Sequence, residues 1–301
     1  MDIFERRPLP GTDLQVTPVG VGTSALGNLP EPAEVVTPTV RRVFDSGLNV
    51  LDTSAGYGES ERRIGATIAA AGGLPDGFIL SSKADPDPVT KDFSGARVRR
   101  SFEESLERLG VDRLPLYFLH DPERITFAEA TRPGGPVEVM AALREEGLVD
   151  HIGVAGGPID LMCDYVAAGV FQVVLTHSRY NLLDRSAEPL LAAAAERGVG
   201  VVNAAPFGGG LLAKGPAGSP RFAYRPATAA TLAAATEMER ACAAAGIPLA
   251  AAALQFSMRE PRIALTVLGV SSPARVDEAI ALATTDIPED LWSTLDSHLP
   301  R

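Results

Sequence analysis

The stretch SGARVRRSFEESLERLGVDRLPLYFLH, residues 94–120, contains one complete helix–strand unit. Residues 94–109 start with a serine, a common helix cap, and are followed by Gly110, a residue type that often ends helices. Residues 114–120 form a nearly continuous apolar run of strand length. Such a run is typical of a parallel strand covered on both faces. The stretch therefore predicts a helix that leads into a buried parallel strand.

The same unit recurs about eight times at roughly 30 residues per unit, which is the size of a βαβ element. The first helix is predicted to start with Thr37 as its cap and Pro38 in its first turn, and to stop at Gly47. The predicted strands are 19–23, 49–53, 78–83, 114–120, 151–155, 172–176, 200–205 and 263–268. The later predicted helices are 59–71, 94–109, 137–146, 160–168, 187–197, 227–258 with a break at 246–248, and 272–283. Eight units favour an α/β fold of the (β/α)₈ TIM-barrel type, preceded by a β-hairpin within residues 4–17.

Length and charge restrict the class of protein. A barrel of this type needs ~250 residues, and the chain has 301 with no composition shift, which predicts one domain over residues 1–301. The segment 208–226, rich in Gly, Pro and Ala, is interpreted as an active-site loop rather than a linker. The net charge of −11 argues against nucleic acid and anionic membranes as partners, because both select basic surfaces.

The cysteines and the apolar runs of the chain help to predict its cellular compartment. Cys163 and Cys242 lie among apolar residues and fit no metal-ligand spacing, so we expect buried free thiols. Residues 1–8 carry charges where a signal peptide needs an apolar stretch, and no apolar run approaches the ~18 residues of a membrane span. These features predict a cytoplasmic protein without a membrane partner.

Three consecutive predicted strands end with ionisable side chains: Asp52, Lys83 and His120. Tyr57 lies between two glycines in the turn after the first of these strands. Because barrel active sites form at the carboxyl ends of the strands, we expect these four side chains to share one mouth. Each taken alone fits an ordinary role: a turn-forming Asp, a solvated Lys, a Tyr packed in a loop or a core His.

Together the four side chains suit proton transfer at a carbonyl or hydroxyl oxygen. A carboxylate holds a neighbouring ammonium charged, and an ammonium lowers the pKa of a nearby phenol from ~10. We therefore expect Lys83, held by Asp52, to lower the pKa of Tyr57. Tyr57 could then give a proton to a carbonyl oxygen or take one from an alcohol, with His120 orienting that oxygen.

The run NVLDTSAGYGESE at 49–61, with Ser82-Lys83 and Leu119-His120-Asp121-Pro122, resembles the signature of the aldo-keto reductases. The resemblance covers essentially the whole chain. It implies a (β/α)₈ barrel, NADP or NAD as cofactor and no metal. It also implies that Tyr57 is the general acid/base, that Lys83 and Asp52 tune it, and that His120 positions the substrate oxygen.

No Rossmann fingerprint is present, since Gly20-Val21-Gly22 lacks the third glycine. The loops 205–211 and 269–275, which follow the last two predicted strands, fit the phosphate site of a barrel. By resemblance, the expected cofactor-binding residues are Gly22, Thr23, Asp52, Ala155, Gly156, His177, Ala204, Phe207, Gly208, Gly209, Gly269, Ser271, Ser272 and Arg275.

The chain departs from the family pattern in this cofactor cradle. Ala155-Gly156 replaces a Ser-Asn pair, His177 replaces a glutamine, and Ala204 replaces an aromatic residue. Arg275 matches the family's arginine for the 2′-phosphate of NADP, but Gly269 replaces a lysine for the same phosphate. Both NAD and NADP therefore stay open.

Segments 118–123, 178–184 and 203–207 resemble the branch that holds aldose 1-dehydrogenases, L-galactose dehydrogenase and pyridoxal 4-dehydrogenase. This resemblance implies a small carbonyl or sugar substrate, and oxidation of an aldose's anomeric hydroxyl to a lactone. The alternatives are a general aldehyde, ketone or pyridoxal reductase or dehydrogenase, and a nucleotide-binding regulatory subunit. A lyase with a Schiff base on Lys83 is disfavoured, because Asp52 keeps that lysine charged. The sequence carries no signal for the oligomeric state.

Overall fold

The structure is a computed structural model that describes residues 2–28 and 33–300. Eight parallel strands close a barrel, which confirms the predicted (β/α)₈ fold. In their order around the barrel, the strands are β12 (Ile263–Gly269), β3 (Val19–Gly22), β4 (Val50–Asp52), β5 (Ile79–Ala84), β6 (Leu114–His120), β7 (Val149–Gly156), β8 (Val173–His177) and β9 (Gly200–Ala204). Two hairpins complete the strand set: β1 (Arg7–Pro8) with β2 (Gln15–Val16), and β10 (Arg221–Phe222) with β11 (Arg225–Pro226).

The β1–β2 hairpin closes the amino-terminal end of the barrel. The Arg7 side chain donates hydrogen bonds to the carbonyl oxygens of Ala264 and Ile263, at 2.7 and 3.1 Å. Leu9, fully buried, packs against the side chains that fill the barrel interior. The other end of the barrel, where the strands finish, is therefore left for a site.

Helices cover the outside of the barrel. The cap pattern predicted for residues 94–110 is confirmed: the Ser94 hydroxyl accepts a hydrogen bond from the Arg97 N–H at 3.3 Å, and Gly110 ends the helix at φ 66°. The helices are α1 (Ser24–Gly27), α2 (Ala33–Phe44), α3 (Ser60–Ala71), α4 (Gly95–Leu109), α5 (Phe127–Thr131), α6 (Pro136–Glu145), α7 (Ile159–Ala167), α8 (Glu188–Arg197), α9 (Leu211–Gly218), α10 (Ala229–Ala244), α11 (Leu249–Met258), α12 (Pro273–Thr284) and α13 (Glu289–Ser297).

Two predicted segments differ in the structure. Helix α2 begins at Ala33, so Pro38 lies inside it and not in its first turn. The burial of Val40 and Val43 against the core outweighs the one backbone hydrogen bond that the proline removes. Segment 208–226 is not an irregular loop, because it contains a 3₁₀ turn (Gly208–Gly210), α9 and the β10–β11 hairpin.

The apolar core has one layer inside the barrel and another between strands and helices. Cys242 is buried as expected, whereas Cys163 is only half-buried on the outer helix α7, so that expectation was wrong for it. In the described part of the chain no single helix is long and apolar enough to cross a membrane. The pair α10 and α11 reaches that length only together and is bent by 101°.

Candidate active site

Four of the side chains singled out in the sequence meet at the carboxyl ends of neighbouring strands. Asp52 ends β4, Lys83 lies near the end of β5, His120 ends β6, and Tyr57 follows β4 in a turn. All four line a cleft of about 570 Å³ at this mouth of the barrel. The expected juxtaposition is thus present, while the catalytic roles of the four residues stay predictions.

Lys83 is almost completely buried, and its ammonium has two oxygen partners. Its Nζ donates to Oδ2 of Asp52 at 2.6 Å and to the carbonyl oxygen of Thr53 at 2.7 Å. Burial lowers the pKa of Lys83, but the charges of Asp52 and Tyr57 raise it more, so the pKa lies above its ordinary value. Ser81 donates to the other oxygen of Asp52 at 2.8 Å and fixes the carboxylate. Lys83 is therefore a permanent positive charge inside the cleft.

Tyr57 lies beside this charge, with Nζ of Lys83 4.8 Å from the centre of its ring. Burial raises the pKa of Tyr57, the charge of Lys83 lowers it, and the charge of Asp52 raises it again. The net pKa lies above the ordinary value, so the expectation of a lowered pKa was wrong. Lys83 acts in the expected direction, but the loss of water around the phenol outweighs it. At neutral pH the Tyr57 side chain is a phenol.

Glycines allow the Tyr57 turn to lie close to its neighbours. A Cβ on Gly27 would stand 1.7 Å from the carbonyl oxygen of Tyr57, and a Cβ on Gly56 would stand 2.8 Å from Cγ of Asp85. Neither approach is possible for a residue with a side chain, because real Cβ atoms do not come within 3 Å of such atoms. The two glycines therefore allow the turn that carries Tyr57 to pack closely against α1 and Asp85.

His120 is held by a carboxylate that sequence reasoning missed. Its Nδ1 lies 2.8 Å from Oδ1 of Asp85 and 3.1 Å from Oγ of Ser54. The Tyr57 ring meets the His120 ring edge to face, with the ring centres 5.7 Å apart. The sequence did carry a signal for Asp85, because it is a charged residue two positions after Lys83, directly after the end of β5.

The expected cofactor-binding residues fall into three groups. Gly22, Thr23, Asp52, Ala155, His177 and Ala204 line the cleft that holds Tyr57. A second cleft, of about 290 Å³, is lined by Phe207, Ser271 and Arg275, and Gly269 borders both clefts. Gly156, Gly208, Gly209 and Ser272 are not among the described residues that line either cleft.

Arg275 is not free in the second cleft. Its guanidinium forms an ion pair with Glu278, three residues further along α12, and Glu278 lines the same cleft. Lys214 lines the same cleft and adds a second cation. A phosphate at this position would therefore meet two cations and one carboxylate.

A family model described as the aldo/keto reductase family matches residues 18–300. The chain is an aldo-keto reductase. It is 32% identical to the L-galactose dehydrogenase of Arabidopsis thaliana, over 94% of this chain and 89% of that protein. It is 28% identical to the pyridoxal 4-dehydrogenase of Microbacterium luteolum, over 98% and 97%. It is 30% identical to the D-threo-aldose 1-dehydrogenase of a Pseudomonas species, over 94% of each chain.

Solved structures agree on the fold. The holo form of an aldo-keto reductase from Bacillus halodurans has a TM-score of 0.79 against this reductase, covering 98% of this chain and 96% of that one at 22% identity. The reductase is thus an oxidoreductase that uses NADP or NAD, from the branch that the sequence segments indicated.

The geometry of this reductase fits a nicotinamide dinucleotide. Two clefts that meet at Gly269 suit a long ligand with a heterocycle at each end. Nδ1 of His177 is buried without a hydrogen-bond partner among the described residues, and a carboxamide bound in the cleft would supply one. Burial also lowers the pKa of His177, which keeps the ring neutral and free to bond an amide.

Two aromatic side chains have positions that the sequence left open. Tyr224, between β10 and β11, lines the catalytic cleft with its ring centre 6.4 Å from that of His177. Trp292 is buried on α13 under the guanidinium of Arg259, and it is not among the described residues that line the catalytic cleft. The described residues contain no cluster of side chains suited to a metal ion.

Proposed function

We propose that this aldo-keto reductase oxidises the anomeric hydroxyl of an aldose to a lactone, with NAD⁺ or NADP⁺ as acceptor. The observation that carries the proposal is the meeting of Tyr57, Lys83, Asp52 and His120 in one cleft. The names of the L-galactose and D-threo-aldose dehydrogenases, to which the chain is about 30% identical, support a sugar as substrate.

The protein's part in the reaction is to move one proton at the substrate oxygen. Tyr57 takes this proton from the hydroxyl during oxidation and returns it during reduction. Lys83 stabilises the phenolate that oxidation requires, because its fixed positive charge lies beside the Tyr57 ring. His120 fixes the direction of the substrate oxygen, since its ring packs against that of Tyr57.

The cofactor supplies the hydride chemistry, and the described clefts supply its binding groups. His177, Ala155 and Ala204 would surround the nicotinamide, and Ser271, Arg275 and Lys214 would lie near the adenosine end. The small side chains of Ala155 and Ala204 leave room for a ring at the floor of the cleft, where larger side chains would fill it.

A second candidate is oxidation or reduction of an aldehyde such as pyridoxal. The similarity to the pyridoxal 4-dehydrogenase, which spans nearly the whole chain, supports this candidate. A Schiff base on Lys83 is disfavoured, because Asp52 and Tyr57 keep its pKa high and an uncharged amine is needed for attack. A purely regulatory subunit is disfavoured by the presence of all four proton-transfer side chains.

The test follows the absorbance of the reduced nicotinamide in the purified protein, with NAD⁺ and NADP⁺ supplied separately. L-Fucose, D-arabinose, L-galactose and pyridoxal are the substrates, and Tyr57→Phe is the matched control, since it removes only the hydroxyl. Aldose-dependent reduction of one cofactor, lost in the variant, supports the proposal. Cofactor binding with no aldose turnover, together with rapid reduction of aromatic aldehydes, refutes it.

A further inference from the structure

Asp121 follows β6 in a backbone conformation that is uncommon for a residue with a side chain. Its φ is 43° and its ψ is 56°, in the left-handed region that favours glycine. The N–H of Asp121 donates a hydrogen bond to the carbonyl oxygen of Ala155 at 2.7 Å, which ties this residue to the end of β7. Backbone of this kind is concentrated at functional sites, where the surroundings hold it in place. The Asp121 side chain is therefore a candidate for a function in the cleft.

The Asp121 side chain does not serve the turn that follows it. It precedes the 3₁₀ turn Pro122–Arg124, and within this fully described stretch it makes no capping hydrogen bond. It lines the catalytic cleft instead, with 25% of its side chain exposed. Oδ2 accepts a hydrogen bond from the Arg124 guanidinium at 2.9 Å, which fixes the carboxylate. Oδ1 has no hydrogen-bond partner among the residues that the structure describes, so it is available to a donor in the cleft.

The position of Oδ1 relative to His120 suits two neighbouring oxygens of one substrate. Oδ1 lies 3.7 Å from Nε2 of His120, too far for a direct hydrogen bond. In the proposed reaction the reacting oxygen lies between Tyr57 and His120. Oxygens on adjacent carbons of a sugar lie about one hydrogen-bond length apart. A reacting oxygen held at His120 therefore brings the oxygen of the next carbon within reach of Oδ1.

We propose that Asp121 is a specificity-determining residue whose Oδ1 accepts a hydrogen bond from the hydroxyl on the carbon next to the reacting carbon. In an aldose this is the hydroxyl at C2. Each hydrogen has its own acceptor, because the reacting hydroxyl gives its hydrogen to Tyr57 and the C2 hydroxyl gives its hydrogen to Asp121. The substrate class that follows, resting on the proposed oxidation of the anomeric hydroxyl, is an aldose with a free hydroxyl at C2.

A carboxylate suits this role better than a neutral acceptor does. Hydrogen bonds to an ionised acceptor are roughly twice as strong as those between neutral groups. The charge of Asp121 acts inside the cleft, since burial and then this charge raise the pKa of Tyr224, which lines the same cleft. A 2-deoxy sugar would take water away from Oδ1 without supplying a hydrogen bond. Such a sugar is therefore a poorer substrate.

The test compares substrates that differ only in the hydroxyl next to the reacting carbon. The oxidative pairs are D-arabinose against 2-deoxy-D-ribose and L-fucose against 2-deoxy-L-fucose, with NAD⁺ or NADP⁺. The reductive pair is lactaldehyde against propanal, with NADH or NADPH. The readout is the ratio of kcat/KM within each pair. The wild type is expected to prefer the hydroxylated member by about tenfold, the contribution of one hydrogen bond to a charged group.

Two variants of Asp121 keep its backbone conformation and change only its acceptor. Asp121→Gly adopts a positive φ without strain, and it is expected to bring the ratio close to one by slowing only the hydroxylated substrate. Asp121→Asn also adopts this φ readily and keeps a neutral acceptor, so its ratio is expected to lie in between. Since Asp121 does not hold the cofactor, the NADH dissociation constant should be nearly unchanged in both.

Asp87→Asn is the matched control. Asp87 lines the same cleft, but its Oδ1 already accepts hydrogen bonds from the N–H groups of Val89 and Thr90, at 2.9 and 2.8 Å. This variant is expected to keep the wild-type ratio. A fall in the ratio as large as that in Asp121→Gly would show that any charge in the cleft has this effect, and it would overturn the role of Asp121.

A wild type that shows no preference in any pair overturns the inference, as does an unchanged ratio in folded Asp121→Gly or, if that variant does not fold, in Asp121→Asn. If no aldose is oxidised but lactaldehyde is preferred to propanal only while Asp121 is intact, the proposed function fails and the role of Asp121 stands. If aldoses are oxidised with a ratio that no Asp121 variant changes, the proposed function stands and the role of Asp121 fails.

Discussion

Lys83 and Asp52 form a buried ion pair whose Nζ and Oδ2 atoms lie 2.6 Å apart, with side-chain exposures of 2% and 7%. Removing one member leaves an uncompensated charge in the barrel mouth. We expect Lys83→Met and Asp52→Asn each to lower the free energy of unfolding by about 3–5 kcal/mol. The double variant should lose less than the sum of the two, because it leaves no isolated charge. Urea unfolding of the four proteins measures this, and additive losses would contradict it.

The Tyr57 phenol should ionise above the ordinary tyrosine range in the cofactor-free protein. Burial raises its pKa more than the charge of Lys83 lowers it. The proton-donating form is therefore fully present at neutral pH, and the phenolate needed for oxidation increases as the pH rises. Ultraviolet titration of the wild type minus Tyr57→Phe isolates this group. Ionisation below pH ~10, the ordinary value, would show that Lys83 dominates after all.

Cofactor choice should depend on the pairing of Arg275 with Glu278. While Glu278 neutralises this guanidinium, Arg275 attracts a 2′-phosphate less strongly. Glu278→Gln is expected to tighten NADP⁺ binding by only a few-fold relative to NAD⁺, because an exposed ion pair of this kind contributes about 0.2–1 kcal/mol.

The control for this pair is Arg275→Met, which should weaken NADP⁺ more than NAD⁺. Fluorescence titration with the two reduced cofactors gives two dissociation constants for each protein. If the ratio of the NADPH to the NADH dissociation constant is the same in the wild type and in both variants, the Arg275–Glu278 pair does not distinguish cofactors with a 2′-phosphate from those without one.

The hairpin that closes the far end of the barrel should matter for stability and not for chemistry. Leu9 is fully buried against the interior cluster, whereas Leu14 of the same hairpin is only partly buried. Leu9→Ala should cost about 2–5 kcal/mol of unfolding free energy, and Leu14→Ala clearly less. Both folded variants should turn over substrate at the wild-type rate. A Leu9→Ala protein of normal stability, or one that is folded and inactive, would contradict this.

The barrel and the proton-transfer group could be predicted because both leave local signals in the chain. Apolar runs with capped helices between them require a covered parallel sheet, and the polar residues Asp52 and His120 at strand ends have no place in a core. The start of α2 could not be predicted in this way. Its Thr37-Pro38 pair is a strong local signal, but the helix extends from Ala33 through the proline because tertiary packing stabilises it.

The environment of Tyr57 could not be read from residue types. A lysine near a tyrosine predicts a lowered pKa, but the depth of burial decides the sign, and burial depends on how Gly27 and Gly56 bring the turn against α1 and Asp85. The partner of His120 was missed for the same reason. Asp85 resembles an ordinary residue after a strand until the structure places it between Ser54 and Nδ1.

The most direct test of the account uses L-galactose and L-fucose labelled with ¹³C at the anomeric carbon, with NAD⁺ or NADP⁺. Carbon resonances and nicotinamide absorbance are followed in the same sample. We expect the anomeric signal to be replaced by that of a lactone carbonyl at the rate at which the cofactor is reduced, and we expect Tyr57→Phe to abolish both changes. An unchanged anomeric signal in the wild type, with rapid reduction of aromatic aldehydes by the same preparation, would contradict the proposed oxidation of aldoses.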